Sequence, residues 1–279
     1  MNVFGSTIAS YSGEPIDLST FLLVQLVISS VQLSGQTANE YADIKGDALN
    51  KSRTFFSGGS GMLSDGRISK RTAAVVTAVL ASVAVAASAA MFIFVRGDQL
   101  ILPLIAIAFF LAIEYSLKPL QLESSGAGEA AMAFTVGFFC PTVAFIAQGG
   151  SEFGIMLLLT SVTILTTFCL LIMIEYPDYE ADKASGKNNL VVRFGRERSF
   201  WLGTGALLIA ATLSAISIFF NVPVIVAVSL AFVLLMDAVA LNVIRIRLLS
   251  KGKGFGWLTI ISIGLYALAI GLASLFLIR

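Results

Sequence analysis

The sequence predicts an all-α polytopic membrane protein, a ring-like bundle of eight full transmembrane helices preceded by a partial N-terminal one. Three observations carry that expectation. Of 279 residues, 57% are hydrophobic and 13% charged, with a mean hydropathy of +0.90, whereas soluble domains carry about 25% charged residues. Apolar runs long enough to span a bilayer recur along the whole chain. Basic residues gather in alternate connections between those runs.

A helical span needs about 20 apolar residues. That window picks out 17–39, 70–95, 99–117, 130–149, 152–176, 198–220, 222–246 and 256–278. Residues 1–12 read as the second half of a further helix, too short to span alone, as if the start were truncated. The whole chain, 1–279, reads as a single domain. Gly97-Asp98, Gly149-Gly150-Ser151 and Asn221-Val222-Pro223 give tight turns on one side of the bundle. Longer loops near 40–69, 118–129, 177–197 and 247–255 lie on the other. All but Arg96 and Arg279 of the 18 Lys and Arg fall in these long loops or at their edges. The positive-inside rule therefore puts the long loops in the cytoplasm and the protein in the cell inner or plasma membrane.

Composition excludes several functions. Net charge is +1 and there is no basic tail, which argues against a nucleic-acid partner. The chain has no histidine, so imidazole general bases, Ser-His-Asp triads and histidine-rich zinc sites are all ruled out. Cys140 and Cys169 both sit in apolar runs and read as small buried hydrophobes. The first 16 residues lack the basic region of a cleavable signal peptide.

Two acidic clusters stand out in this apolar chain. The first is Asn39-Glu40-Tyr41-Ala42-Asp43-Ile44-Lys45-Gly46-Asp47; the second is Glu175-Tyr176-Pro177-Asp178-Tyr179-Glu180-Ala181-Asp182. Each places carboxylates at i and i+4, one turn apart on one side of a helix. Carboxylates beside hydrocarbon are costly and persist only with polar or metal partners. Both clusters fall on the same predicted membrane face, each followed by a basic loop. Magnesium binds through one or two carboxylates plus substrate phosphates. Asn39, Asp43 and Asp47 on one side and Asp178 and Asp182 on the other could therefore bridge Mg²⁺ to a diphosphate. Lys45, Lys51 and Arg53 after the first cluster, with Lys183 and Lys187 after the second, suit the oxygens of a departing diphosphate. Two matched clusters weigh against mere anchoring of helix ends in water.

The first cluster resembles the N-D-x-x-D-x-x-x-D motif of the UbiA superfamily of intramembrane aromatic prenyltransferases. Asp178-Tyr-Glu-Ala-Asp182 resembles that superfamily's second motif, D-x-x-x-D, and Tyr115-Ser116-Leu117-Lys118-Pro119-Leu120 with Gly126-Ala127-Gly128-Glu129 gives a third match. Gly186-Lys187-Asn188-Asn189-Leu190-Val191-Val192-Arg193-Phe194-Gly195, with Phe56-Ser57-Gly58-Gly59-Ser60-Gly61 upstream, most resembles the menaquinone branch, whose members act on 1,4-dihydroxy-2-naphthoate. The resemblance implies Mg²⁺-dependent transfer of a polyprenyl group from its diphosphate to an aromatic acceptor. It implies catalytic roles for Asp43, Asp47, Asp178, Asp182 and Tyr115, and diphosphate contacts from Asn39, Lys45, Lys51, Arg53, Lys118, Lys183 and Lys187. Rival acceptors within the superfamily are 4-hydroxybenzoate, homogentisate, chlorophyllide and a glycerol lipid. Two departures stand out: Glu40 occupies a position where the motif usually has Asp, and the family has nine spans while most of the first is missing here.

Other features are weaker. Tyr41, Tyr115, Tyr176 and Tyr179 are candidates to shield an allylic cation, although tyrosine also anchors helices at membrane interfaces. Asp237 lies deep in a span, where it pairs with a polar group or lines the cavity. Glu114 could accept a hydrogen bond from a substrate hydroxyl. The Gly58–Gly61 run lacks a Walker ending and reads as bends in a capping loop. The rival from another class is a secondary transporter, which would hold its polar site at the bilayer midplane rather than at one face.

Overall fold

The computed structural model describes residues 1–44, 60–95, 99–249 and 256–278, and all regular structure among them is helical. The helices are α1 (Asn2–Tyr11), α2 (Leu18–Ala42), α3 (Lys70–Phe94), α4 (Ile101–Glu114), α5 (Gly128–Ala147), α6 (Phe153–Ser185), α7 (Leu190–Ser217), α8 (Val224–Leu249) and α9 (Gly256–Leu277). Seven of these are long and apolar enough to cross a membrane; α4, with 14 residues, is the shorter apolar one.

Local chemistry sets the boundaries. Asp17 and Ser69 cap α2 and α3 by accepting the N–H groups of Thr20 and Thr72 at 2.7 and 3.0 Å, which satisfies donors with no intrahelical partner. The expected span 99–117 stops at Glu114. Beyond it Pro119, which has no N–H to donate, and Gln121, in the left-handed region at φ 45°, turn the chain back on itself. The expected loop 177–197 is largely helical, because α6 runs through Pro177 to Ser185 and α7 begins at Leu190. Proline removes one hydrogen bond but does not end the helix here.

Helix α1 is buried along almost its whole length, polar side chains included. It packs against α5, α9 and α2 and so closes the ring, while α6 sits centrally against α5, α7, α8 and α9. Its Asn2 amide donates to Phe21 O and Gln25 Oε1 of α2 at 3.0 and 3.1 Å, which explains how so polar a helix stays inside. In α5 a π-helical turn at Thr135–Phe139 lets the Thr163 hydroxyl donate to Gly137 O at 2.6 Å. A Cβ on Gly137 would lie 2.6 Å from Ile164 Cα, so this close α5–α6 crossing requires glycine. Large apolar side chains such as Leu22, Phe92, Leu208, Leu235 and Leu275 point outward. An exposed apolar surface of that extent suits hydrocarbon rather than water.

Candidate functional site

The site forms where α2 and α6 end on the same face of the bundle. Asn39 lies in the last turn of α2 and Asp43 caps it. The Asn39 amide nitrogen donates to Asp43 Oδ2 at 3.2 Å, Ser116 Oγ at 2.8 Å and Glu123 Oε2 at 3.0 Å. Ser116 and Glu123 reach it through the fold-back after α4, pinned by Glu123 N donating to Tyr115 O at 2.9 Å. A Cβ on Gly128 would lie 2.7 Å from Glu123 Cα, so glycine lets this turn pack against the start of α5.

Across the site, α6 ends in a left-handed Gly186, and Lys187 N folds back onto Asp182 O at 2.9 Å. That turn sends the Lys187 ammonium to Asp43 Oδ2 at 2.7 Å, with Glu123 Oε2 at 3.5 Å. Asn189 does two jobs: its Oδ1 caps α7 by accepting Val192 N at 2.8 Å, and its Nδ2 donates to Asp182 Oδ2 at 2.8 Å. Burial alone would lower the Lys187 ammonium, but Glu123, Asp43 and Asp182 together hold it above the ordinary lysine range. Burial pushes the Glu123 carboxyl up to about 7, against the pull of Lys187 and with the push of Asp43. Tyr115 is half-buried at the end of α4. Burial, then Glu175, Glu123, Glu129 and Asp43, keep its phenol well above the usual range, so it remains an O–H donor.

Not every predicted residue joins this network. Asp47, Lys45, Lys51 and Arg53 lie outside the described residues. Asp178 is half-buried one turn before Asp182. Lys118 and Lys183 are exposed, and the Lys183 ammonium stands 5.7 Å from the Tyr179 ring, where the Arg196 guanidinium also packs at 4.7 Å. Tyr176 is core, its hydroxyl donating to Arg196 O, and Tyr41 is exposed. Glu40 is tied to Ser60: its two oxygens accept Ser60 N and Ser60 Oγ, each at 2.8 Å. Glu114 Oε2 accepts Leu120 N at 3.0 Å and closes the fold-back. Asp237 is fully buried on α8 beside the Ser262 hydroxyl of α9.

The sequence profile of the UbiA prenyltransferase family matches residues 2–253. The chain belongs to that family. It is therefore a membrane prenyltransferase. No curated protein matches the sequence. Solved UbiA-type structures share the fold at low identity. A UbiA homolog from Aeropyrum pernix K1, in its apo form, is 17% identical with a TM-score of 0.71, covering 98% of this chain and 96% of its own. A UbiA homolog from Archaeoglobus fulgidus bound to GPP and Mg²⁺ is 17% identical with a TM-score of 0.65, covering 99% and 96%. A digeranylgeranylglyceryl phosphate synthase is 19% identical with a TM-score of 0.69, covering 99% and 93%.

For this UbiA family member the donor chemistry suits a hard divalent cation. Asp43 and Asp182 offer carboxylate oxygens, and the Asn39 carbonyl oxygen lies on the same turn. The lodging of the Lys187 ammonium against Asp43 shows that this spot favours positive charge. Among the described residues no three acidic or sulfur-bearing side chains gather tightly enough to hold a metal by themselves. Sequence reading missed Ser116, Glu123 and Asn189. Only Asn189 had a local signal, an N-cap residue directly before an apolar helical run.

Proposed function

We propose that this enzyme transfers a polyprenyl group from its diphosphate to a hydroxyaromatic acceptor, 1,4-dihydroxy-2-naphthoate, at the cytoplasmic face of the membrane. Asn39, Asp43, Asp178 and Asp182 would hold Mg²⁺, with Asp47 completing the first motif. The ion supplies positive charge to the diphosphate as the C1–O bond breaks. Lys187, already fixed between the two motifs, binds the same oxygens and favours their departure. Tyr115 donates its O–H toward the leaving group or the acceptor. The tail lies among apolar helices, where water is excluded and the allylic cation survives to meet the acceptor.

The observation that carries this reading is the meeting of Asp43 and the Asp182-bearing helix end across one half-buried ammonium. The menaquinone-type acceptor is supported by the Gly186–Gly195 stretch and the glycine run before Gly61. Purified enzyme with Mg²⁺ and labelled polyprenyl diphosphate, offered each of the candidate acceptors in turn, tests it. Product with the naphthoate, abolished by EDTA, is the expected outcome. Product only with another acceptor would overturn the acceptor assignment, and no product with any would overturn the transfer itself.

A further inference from the structure

Glu123 belongs to neither acidic motif, yet it touches a residue that belongs to the first and the lysine that follows the second. It lies in the connection between α4 and α5 and is only 6% exposed. Its Oε2 meets the Asn39 amide nitrogen at 3.0 Å and the Lys187 ammonium at 3.5 Å. Two features hold it there: its own N–H donates to Tyr115 O at 2.9 Å, and Gly128 leaves room for its backbone against the start of α5. A buried carboxylate is costly unless it is paired and hydrogen-bonded, so these two contacts are what keep it inside.

The contact with Asn39 decides which atom of that amide can meet a cation. Asn39 is half-buried, and its Nδ2 is ringed by Asp43 Oδ2 at 3.2 Å, Ser116 Oγ at 2.8 Å and Glu123 Oε2 at 3.0 Å. Two of these are carboxylate oxygens, which only accept, so the donating end of the amide must stand there. A reversed amide would set its own oxygen against both. The carbonyl oxygen is thereby fixed on the other arm of the planar group, where it accepts from none of the described residues. It is the one atom of this side chain with lone pairs for a hard cation.

The three acceptors are not equivalent. Asp43 is drawn to Lys187 at 2.7 Å and is itself offered to the ion, so its hold on Asn39 weakens when the ion arrives. The Ser116 hydroxyl can donate as well as accept and would serve either orientation of the amide. Of the three, Glu123 alone both accepts only and stands outside the ligand set.

We propose that Glu123 is a positioning residue, which holds the Asn39 amide nitrogen so that the Asn39 carbonyl oxygen is presented to the divalent cation. The inference rests on the metal–diphosphate reading above. Glu123 touches neither ion nor substrate; it acts through Asn39, as the outer partners of metal ligands do.

Glu123→Leu, Glu123→Gln and Glu123→Asp in the full-length enzyme test this. Binding of labelled polyprenyl diphosphate is followed against Mg²⁺ with no acceptor present, and Tm is measured in parallel. Leucine removes the acceptor at similar size, and should raise the Mg²⁺ concentration for half-maximal diphosphate binding by about 10–100-fold. Glutamine keeps an oxygen at the same reach and should restore most of that loss. Aspartate keeps the charge but withdraws the oxygen by one methylene, so it should do worse than glutamine. In an Asn39→Asp background the two oxygens are equivalent and there is no amide to orient, so Glu123→Leu should no longer raise the Mg²⁺ requirement.

A lower Tm with an unchanged Mg²⁺ requirement in Glu123→Leu overturns the assignment, because the role would then be structural alone. An equal rise in both backgrounds overturns it too. So does aspartate outperforming glutamine, since charge toward Lys187 would then be what matters; that order decides the question even if the leucine variant does not fold. If wild type binds the diphosphate without Mg²⁺, the metal–diphosphate reading fails as well. If wild type needs Mg²⁺ and Asp43→Asn abolishes binding while the Glu123 variants match wild type, only the positioning role fails.

Discussion

The two acidic motifs share a spacing but are held in different ways. Asn39 and Asp43 stand at the very end of α2, and other parts of the chain hold them there: Ser116 and Glu123 from the fold-back after α4, Lys187 from the turn after α6. Asp178 and Asp182 lie within a continuous helix of 33 residues, where their own backbone fixes them and Asn189 adds one hydrogen bond. The first motif is set by tertiary contacts, the second by secondary structure. A cation placed between them would meet one adjustable wall and one rigid wall, a sound arrangement for binding an ion whose remaining ligands arrive with the substrate.

The strongest way to break this comparison is to remove a carboxylate charge from each wall. Asp43→Asn and Asp182→Asn keep the size of the side chain and should each lower Mg²⁺-dependent transfer by on the order of 10²–10³-fold. The losses should match in activity but differ in stability. Asp43→Asn removes the carboxylate nearest the Lys187 ammonium, which is left with Glu123 and Asp182, whereas Asp182→Asn keeps a carbonyl oxygen for Asn189. Melting of the detergent-solubilised variants should therefore show a lower Tm for Asp43→Asn than for Asp182→Asn. Equal Tm values would mean that the walls are held alike.

A smaller effect is expected at the ammonium between them. Lys187→Met removes a positive charge that neutralises Asp43 and Glu123 together, and the carboxylates left behind repel each other. Transfer should fall by roughly 10–100-fold, the usual cost of losing a group that orients a metal's ligands. Tm should drop as well, and added Mg²⁺ should restore part of it, because the ion then supplies the missing charge. A Tm that ignores Mg²⁺ would show that the lysine and the metal do not share these acids.

The bundle was largely legible because the length of an apolar run is a one-dimensional property. The expected span 70–95 corresponds to α3 at Lys70–Phe94, and 222–246 to α8 at Val224–Leu249. The window failed where the chain turns for tertiary reasons. It carried the third span to 117, although Tyr115 and Ser116 belong to the fold-back that reaches Asn39. It also took Pro177 as the start of a loop, since a proline signal says nothing about how well the flanking turns are packed. In the site, Asp43 and Asp182 were readable from their i, i+4 spacing. Glu123 was not, being a lone acid in a connection with no periodicity, brought to Asn39 only by the pairing of its N–H with Tyr115 O.

The finest test concerns Glu40, one turn before Asp43, at the position where the family motif usually has Asp. If it were part of the adjustable wall, Glu40→Gln would weaken Mg²⁺ as Asp43→Asn does. Both of its oxygens are instead taken by Ser60, one by the N–H and one by the hydroxyl. The longer glutamate arm thus carries the acid to Ser60. A glutamine keeps a carbonyl oxygen for Ser60 N and can donate to Ser60 Oγ, so the tie survives the loss of charge. A substitution at this half-buried position that keeps its hydrogen-bond partners changes stability by about 0.5 kcal/mol at most. Transfer rate and the Mg²⁺ concentration at half-maximal activity should both stay within about twofold of wild type. A Mg²⁺ requirement that rises tenfold would make Glu40 a ligand and would extend the tertiary-held wall by a full helical turn.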